Sequence, residues 1–235
     1  MKPALTILYE DNHLLAVLKN GGVLVQGDRT EDVSLLALSK EYLKEKYHKP
    51  GRVFLGLVHR LDRPVSGVVL FARTSKAASR IARAFHDREV QKTYVAIVEG
   101  VPEPQAGTLE HYLTRDERRS RVVRSHGGAG GGMGGGSKGV QAVLRYRVMA
   151  HIGAVSLLEI NPETGRHHQI RVQMAQAGHP IEGDLKYGAS APLPNKTIAL
   201  HAWKMTLEHP VTKQTIELCA PPPAYPPWSK FSHFF

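Results

Sequence analysis

Residues 58–72, which read Val-His-Arg-Leu-Asp-Arg-Pro-Val-Ser-Gly-Val-Val-Leu-Phe-Ala, constrain this chain more than any other stretch. Upstream, Val53 to Val58 is an apolar run of strand length, and Val68 to Ala72 is another. Both are rich in β-branched or aromatic residues, as buried strands are. Between them lie His59, Arg60, Asp62, Arg63, Pro64, Ser66 and Gly67, with Pro64 and Gly67 punctuating a turn. One acidic residue therefore sits among basic ones on a loop that two buried strands hold in place, which is how a rigid scaffold presents chemistry. The plainer reading is a surface turn whose Asp62 pairs with a neighbouring Arg, worth about 0–1 kcal/mol. A protein-kinase catalytic loop is excluded, because Leu61 separates His59-Arg60 from Asp62.

The rest of the chain alternates strands and helices without the regular strand–helix repeat of a doubly wound fold. Thr6 to Glu10 and Leu14 to Leu18 read as strands. Asp32 or Ser34 caps a helix to about Tyr47 that leaves through Lys44, Lys46, His48 and Lys49. Thr74 or Ser75 starts a second helix to His86, with Ala77, Ala78, Ile81, Ala82 and Phe85 at helical spacing. Gln91 to Val98, Thr108 to Leu113, Gln141 to Met149 and Val155 to Ile160 read as strands. A third helix is expected over Arg166 to Ala177, ended by Gly178. A hairpin is expected from Leu200–Leu207 and Gln214–Leu218. These elements predict an α+β fold on a largely antiparallel sheet, in one domain spanning residues 1–235.

Two stretches stand apart. Residues 126–139 are nearly all glycine and read as a mobile hairpin tip, since ordering them costs entropy and buries nothing. A phosphate-binding P-loop is excluded, because Gly136-Ser137-Lys138 has the wrong order and no helix pattern follows. The Pro-rich tail, residues 221–235, is expected to pack along the surface.

The chain carries 31 Lys plus Arg against 21 Asp plus Glu, a formal charge of +10. That balance favours a polyanionic partner, most simply nucleic acid. Arg115, Arg118, Arg119, Arg121 and Arg124 crowd one segment, and Lys40, Lys44, Lys46 and Lys49 another. No apolar run approaches the ~18 residues of a membrane span, and the start of the chain does not read as a signal peptide. The single cysteine, Cys219, suits a reducing compartment. The expectations are a cytoplasmic protein, a monomer, with no membrane association.

Four ordered blocks carry a resemblance. His59-Arg60-Leu61-Asp62 with Ser66-Gly67 is the first, and Lys92-Thr93-Tyr94-Val95-Ala96 the second. The third is Thr164-Gly165-Arg166-His167-His168-Gln169-Ile170-Arg171-Val172, running into Gly178-His179-Pro180-Ile181-Glu182-Gly183-Asp184. The fourth is Leu200-His201-Ala202 with His209-Pro210. Together they resemble the RluA-type RNA pseudouridine synthases from about Tyr9 to Pro221. The chain departs from that family's usual pattern at Val65, where Thr is common, and at Asn20, where Pro follows the Lys.

The resemblance implies the pseudouridine synthase fold, a bent mixed sheet with flanking helices and a catalytic cleft across it, here without the N-terminal S4-type RNA-binding domain of many relatives. It implies isomerisation of specific uridines in structured RNA, ribosomal or transfer, with no cofactor. It casts Asp62 as the nucleophile, Arg166 as the arginine paired with it, and Tyr94 as the stacking face under a flipped-out uracil. Arg60 would enter the space the base leaves. Lys92, Arg171 and Lys186 are candidate phosphate contacts. Arg166 also reads as lying at a helix start, where a positive charge is disfavoured unless it faces an anion.

No metal is expected. His167 and His168 are adjacent, and neighbours on a helix point about 100° apart, too divergent to share an ion. A metal-dependent nuclease lacks a suitable carboxylate cluster. A non-catalytic RNA-binding protein on the same scaffold is the other class considered; the presence of Asp62, Arg166 and Tyr94 argues for the enzyme.

Overall fold

The computed structural model describes residues 5–27, 32–115, 119–123 and 139–235. Its first two strands, β1 (Thr6–Glu10) and β2 (Leu14–Lys19), form an antiparallel hairpin. Asp11 closes it by accepting the backbone N–H groups of His13 and Leu14, each at 2.7 Å. Helix α1 (Leu35–Lys46) follows, with the Ser34 hydroxyl accepting the N–H of Ala37 at 3.3 Å. Strands β3 (Gly56–Leu57) and β4 (Ser66–Ala72) bracket the Asp62 loop. Helix α2 (Ser75–His86) is capped by Thr74, whose hydroxyl accepts the Ala77 N–H at 3.1 Å. These caps satisfy backbone donors that a helix start otherwise leaves open.

The remaining strands are β5 (Gln91–Glu99), β6 (Ala106–Arg115), β7 (Ser120–Val123), β8 (Val140–Ile152), β9 (Val155–Pro162), β10 (Leu200–Glu208) and β11 (Thr215–Cys219). Helix α3 (Gln169–Gln176) lies between β9 and β10. The sheet runs β1-β2-β4-β10-β5-β9-β8-β6-β7, with β3 on β4 and β11 on β10. Among the described strand pairs β4–β10 is parallel and the others are antiparallel. The fold is the expected α+β arrangement on a mostly antiparallel sheet.

The sheet centre is apolar on both faces because successive side chains of a strand point opposite ways. From β4, Val69 and Phe71 enter one core with Leu15 and Val17 of β2. Val68 and Leu70 enter the other with Leu14 and Ala16. All seven β4 residues are buried, so the chain leaving the Asp62 loop is anchored at once.

The two strand ends that matter meet at β10. Ala202 pairs with Gly67 on one side and with Tyr94 on the other. Gly67 takes φ +123°, and a Cβ there would overlap the Ala202 backbone. The close parallel approach of β4 to β10 thus demands glycine at this position. It brings the Asp62 loop and β5 to the same end of the sheet.

Several expectations are corrected. The strand expected over Val53–Val58 is only Gly56–Leu57, paired to Ala72 and Phe71. Val53 and Leu55 are buried instead as irregular chain. The Arg-rich segment holds an additional edge strand, β7, paired to β6. The helix expected from Arg166 begins at Gln169, because His168 takes a left-handed conformation (φ 53°). The Pro-rich tail does more than lie on the surface: Trp228 is 4% exposed and Phe231 fully buried in the main core. The glycine-rich stretch falls outside the described residues except for Gly139.

Candidate active site

Asp62 sits in a tight turn closed by the Val65 N–H donating to its carbonyl at 3.1 Å. Beneath that turn lies Lys19, the last residue of β2, fully buried. Its ammonium donates to the carbonyls of Asn20 at 3.2 Å, Arg63 at 3.0 Å and Val65 at 2.5 Å. Three acceptors call for all three ammonium protons. Burial pushes the lysine down to about 7, while the nearby Asp62 charge opposes that shift. Sequence reasoning noted Lys19 only as part of a departure from a family pattern, because a strand-end lysine ordinarily reads as exposed.

Two side chains face the Asp62 carboxylate from the start of α3. Arg171 Nη1 donates to Oδ2 at 3.1 Å, and His168 Nε2 lies 3.4 Å from the same oxygen. Arg171 is buried, and its Nε and Nη2 both go to Asp184, at 2.7 and 2.8 Å. Tyr187 stands over the guanidinium at 5.2 Å. The Tyr187 hydroxyl accepts the Ser120 N–H at 3.0 Å and lies 2.8 Å from His168 Nδ1.

This geometry corrects two expectations. The guanidinium beside Asp62 belongs to Arg171. Arg166 is exposed, and its Nε donates to the Gln141 carbonyl of β8 at 3.1 Å. The reason is the late helix start. Arg166 precedes the helix in a loop stitched by Gln169, whose Oε1 accepts the Thr164 hydroxyl at 2.7 Å and the Arg166 N–H at 3.0 Å. Arg171, three residues into α3, takes the inward position. Bound to two carboxylates and buried, it is also not the exposed phosphate contact expected of it.

The argument against a shared metal at the adjacent histidines also changes. His167 and His168 are not successive helical residues; their rings stack at 3.7 Å with 21° between planes. Donor atoms of Asp62, His167 and His168 lie within 4.8 Å of one another. The cation already beside Asp62 is Arg171.

Asp62 faces a cleft of about 1170 Å³ whose walls include Arg60, Lys92, Tyr94, Arg166 and Arg171. A smaller pocket of about 360 Å³ that shares Asp62 with it includes Arg60, Arg171 and Lys186. Arg60 and Lys186 are exposed. Tyr94 is half-buried; burial and the Asp62 charge both raise its phenol well above the usual range. Burial lowers Lys92, and lowers Lys186 with help from Arg171 and Arg119. The cleft thus combines the Asp62 carboxylate, cations around it and a neutral tyrosine face.

On the cleft wall, His59 accepts the Leu70 N–H through Nε2 at 2.9 Å and stacks on Phe85 at 5.0 Å. Ser66 bonds His201 Nδ1 at 2.8 Å, and His201 Nε2 donates to the Ala220 carbonyl at 2.8 Å. These bonds pin both ends of the Asp62 loop. Neither was legible in the sequence, since the partners lie 11 and 135 residues apart.

Known proteins resemble this chain along most of its length. Residues 13–176 match the family described as RNA pseudouridylate synthase. A Bacillus subtilis protein described as an uncharacterized RNA pseudouridine synthase is 36% identical over 94% of this chain and 69% of its own length. The dual-specificity RNA pseudouridine synthase RluA of Haemophilus influenzae is 34% identical over 92% of each chain. The solved structure of human RNA pseudouridylate synthase domain containing 4 superposes with a TM-score of 0.74. It is 25% identical and covers 93% of this chain and 88% of that one.

Proposed function

Because the chain belongs to the RNA pseudouridylate synthase family, isomerases that act on uridine in RNA, we propose that Asp62 is its reacting nucleophile and that its substrate is a specific uridine in structured ribosomal or transfer RNA. The observation that carries this reading is the placement of Asp62. Its carboxylate lies at the wall of the large cleft, held by one N–H of Arg171 at 3.1 Å. The ion pair fixes its direction.

The target base leaves its stack to reach this cleft, which costs a few kcal/mol of stacking. The C1′–N1 bond breaks, the uracil turns, and C5 joins C1′ with loss of the C5 proton to solvent and gain of one at N1. The change is redox-neutral and calls for no organic cofactor or metal. Asp62 supplies the electron pair at the sugar-base unit, and Tyr94 supplies a flat, uncharged face for the uracil. Exposed Arg60 and Lys186, with half-buried Lys92, contact RNA phosphates around the cleft.

The test is to delete the gene, map which pseudouridines vanish from total RNA, and treat that RNA with purified protein. Restoration by wild-type protein and not by Asp62→Asn supports the reading. Restoration by Asp62→Asn at the wild-type rate ends it.

A further inference from the structure

We propose that Asp184 is a positioning residue for the reaction: it aims the Arg171 guanidinium so that a single N–H reaches Asp62. The inference rests on Asp62 being the reacting carboxylate.

A guanidinium offers five N–H groups in one plane. Asp184 takes the Nε–Nη2 edge side-on, at 2.7 and 2.8 Å. A bidentate grip fixes both the position and the tilt of the fork. Nη1 is then the group that points at Asp62, with one bond of 3.1 Å. Asp184 is 1% exposed, so it meets no RNA; whatever it does to the reaction passes through Arg171.

The same short turn holds the second group that faces Asp62. Tyr187 N–H donates to the Asp184 carbonyl at 2.9 Å, which places the Tyr187 ring over the guanidinium. Its hydroxyl bonds His168 Nδ1 at 2.8 Å, the imidazole whose other nitrogen faces Asp62. Residues 184–187 therefore orient both groups that face the carboxylate.

Sharing has a chemical consequence. Two carboxylates divide one guanidinium, and the buried one takes two of the three bonds. Asp62 is steadied by a single N–H and keeps lone pairs for the substrate. Without the Asp184 charge, the fork is free to turn onto Asp62 and occupy both its oxygens. Asp62 would then be better paired and a poorer nucleophile.

The experiment compares wild type, Asp184→Asn, Asp184→Glu and Asp62→Asn on total RNA from cells lacking the gene. It reads single-turnover rate, RNA Kd, unfolding midpoint and the low-pH limb of the rate. For Asp184→Asn we expect a rate loss of roughly 10–100-fold, the scale set by a misplaced catalytic group. RNA Kd should stay unchanged, and the low-pH limb should move to lower pH. Asp184→Glu keeps the charge and loses the side-on geometry, so its rate should fall while the limb stays in place. If Asp184→Asn does not fold, Asp184→Glu carries the test, and a wild-type rate there overturns the proposal. A folded Asp184→Asn with wild-type rate and profile overturns it as well. Asp62→Asn separates the two readings: active Asp62→Asn defeats the proposed function itself. Inactive Asp62→Asn beside wild-type Asp184 variants defeats only this inference.

Discussion

Arg171 Nη1 lies 3.1 Å from Asp62 Oδ2, while the guanidinium of Arg166 turns away to the Gln141 carbonyl. Two arginines five positions apart in one motif thus have opposite fates, one buried at the carboxylate and one exposed at the cleft rim. The difference separates their mutants. Asp62→Asn should abolish turnover with RNA binding and folding intact. Arg171→Lys keeps a charge but cannot span Asp62 and Asp184 with a planar fork, so turnover should fall by about 100-fold or more. Arg166→Ala should lower turnover no more than severalfold and weaken RNA binding modestly. Single-turnover assays with binding titrations check all three; an inactive Arg166→Ala beside an active Arg171→Lys would reverse the assignment.

Lys19 holds the Asp62 turn from below. Lys19→Met fills similar space yet leaves the Asn20, Arg63 and Val65 carbonyls without that donor. An unsatisfied buried acceptor costs roughly 1–3 kcal/mol, so the unfolding free energy measured in urea should drop by that order. Turnover should fall more than RNA affinity, because the turn aims the carboxylate. Equal stability and turnover in the variant would show that the turn stands without the lysine.

His59 should tie stability to acid pH. Its Nε2 accepts a backbone N–H and its ring is enclosed, so burial pushes it down to about 3, with the Lys92 charge adding to the effect. Unfolded histidine titrates near 6.5. Between those values the unfolded chain binds more protons, so stability rises with pH. The contribution is complete above about pH 6.5 and is lost as pH falls toward 3. His201, lowered to about 4, acts in the same direction. His59→Gln keeps an acceptor that does not titrate. Urea unfolding should therefore show a shallower loss of stability on acidification than in wild type, and parallel slopes would refute the assignment.

The formal charge of +10 sets the salt response. Phosphate contacts release counterions, so log Kd should rise linearly with log salt concentration. Replacing Arg60 or Lys186 by Ala should reduce the slope by about one contact each, roughly 0.7 on single-stranded RNA. A salt-independent Kd would show that the basic surface is not where RNA binds.

By itself, the order of residues determined a great deal here. The buried strand that leaves the Asp62 loop, the helices that start near Ser34 and Thr74, and the α+β class follow from periodicities and caps. Those are interactions within a few positions, or repeats that a single strand or helix imposes on its own side chains. The four motif blocks marked the family. What only the tertiary structure decided is which cation serves Asp62. One left-handed residue, His168, delays α3 to Gln169 and sends Arg166 outward and Arg171 inward. The partners that complete the site come from distant segments: Asp184 thirteen residues from Arg171, and Lys19 forty-four from Arg63. Their meeting depends on how β4, β10 and α3 pack. Pairing over such separations leaves no periodic trace in the sequence, because the same residue types serve equally well as exposed charges until a fold encloses them.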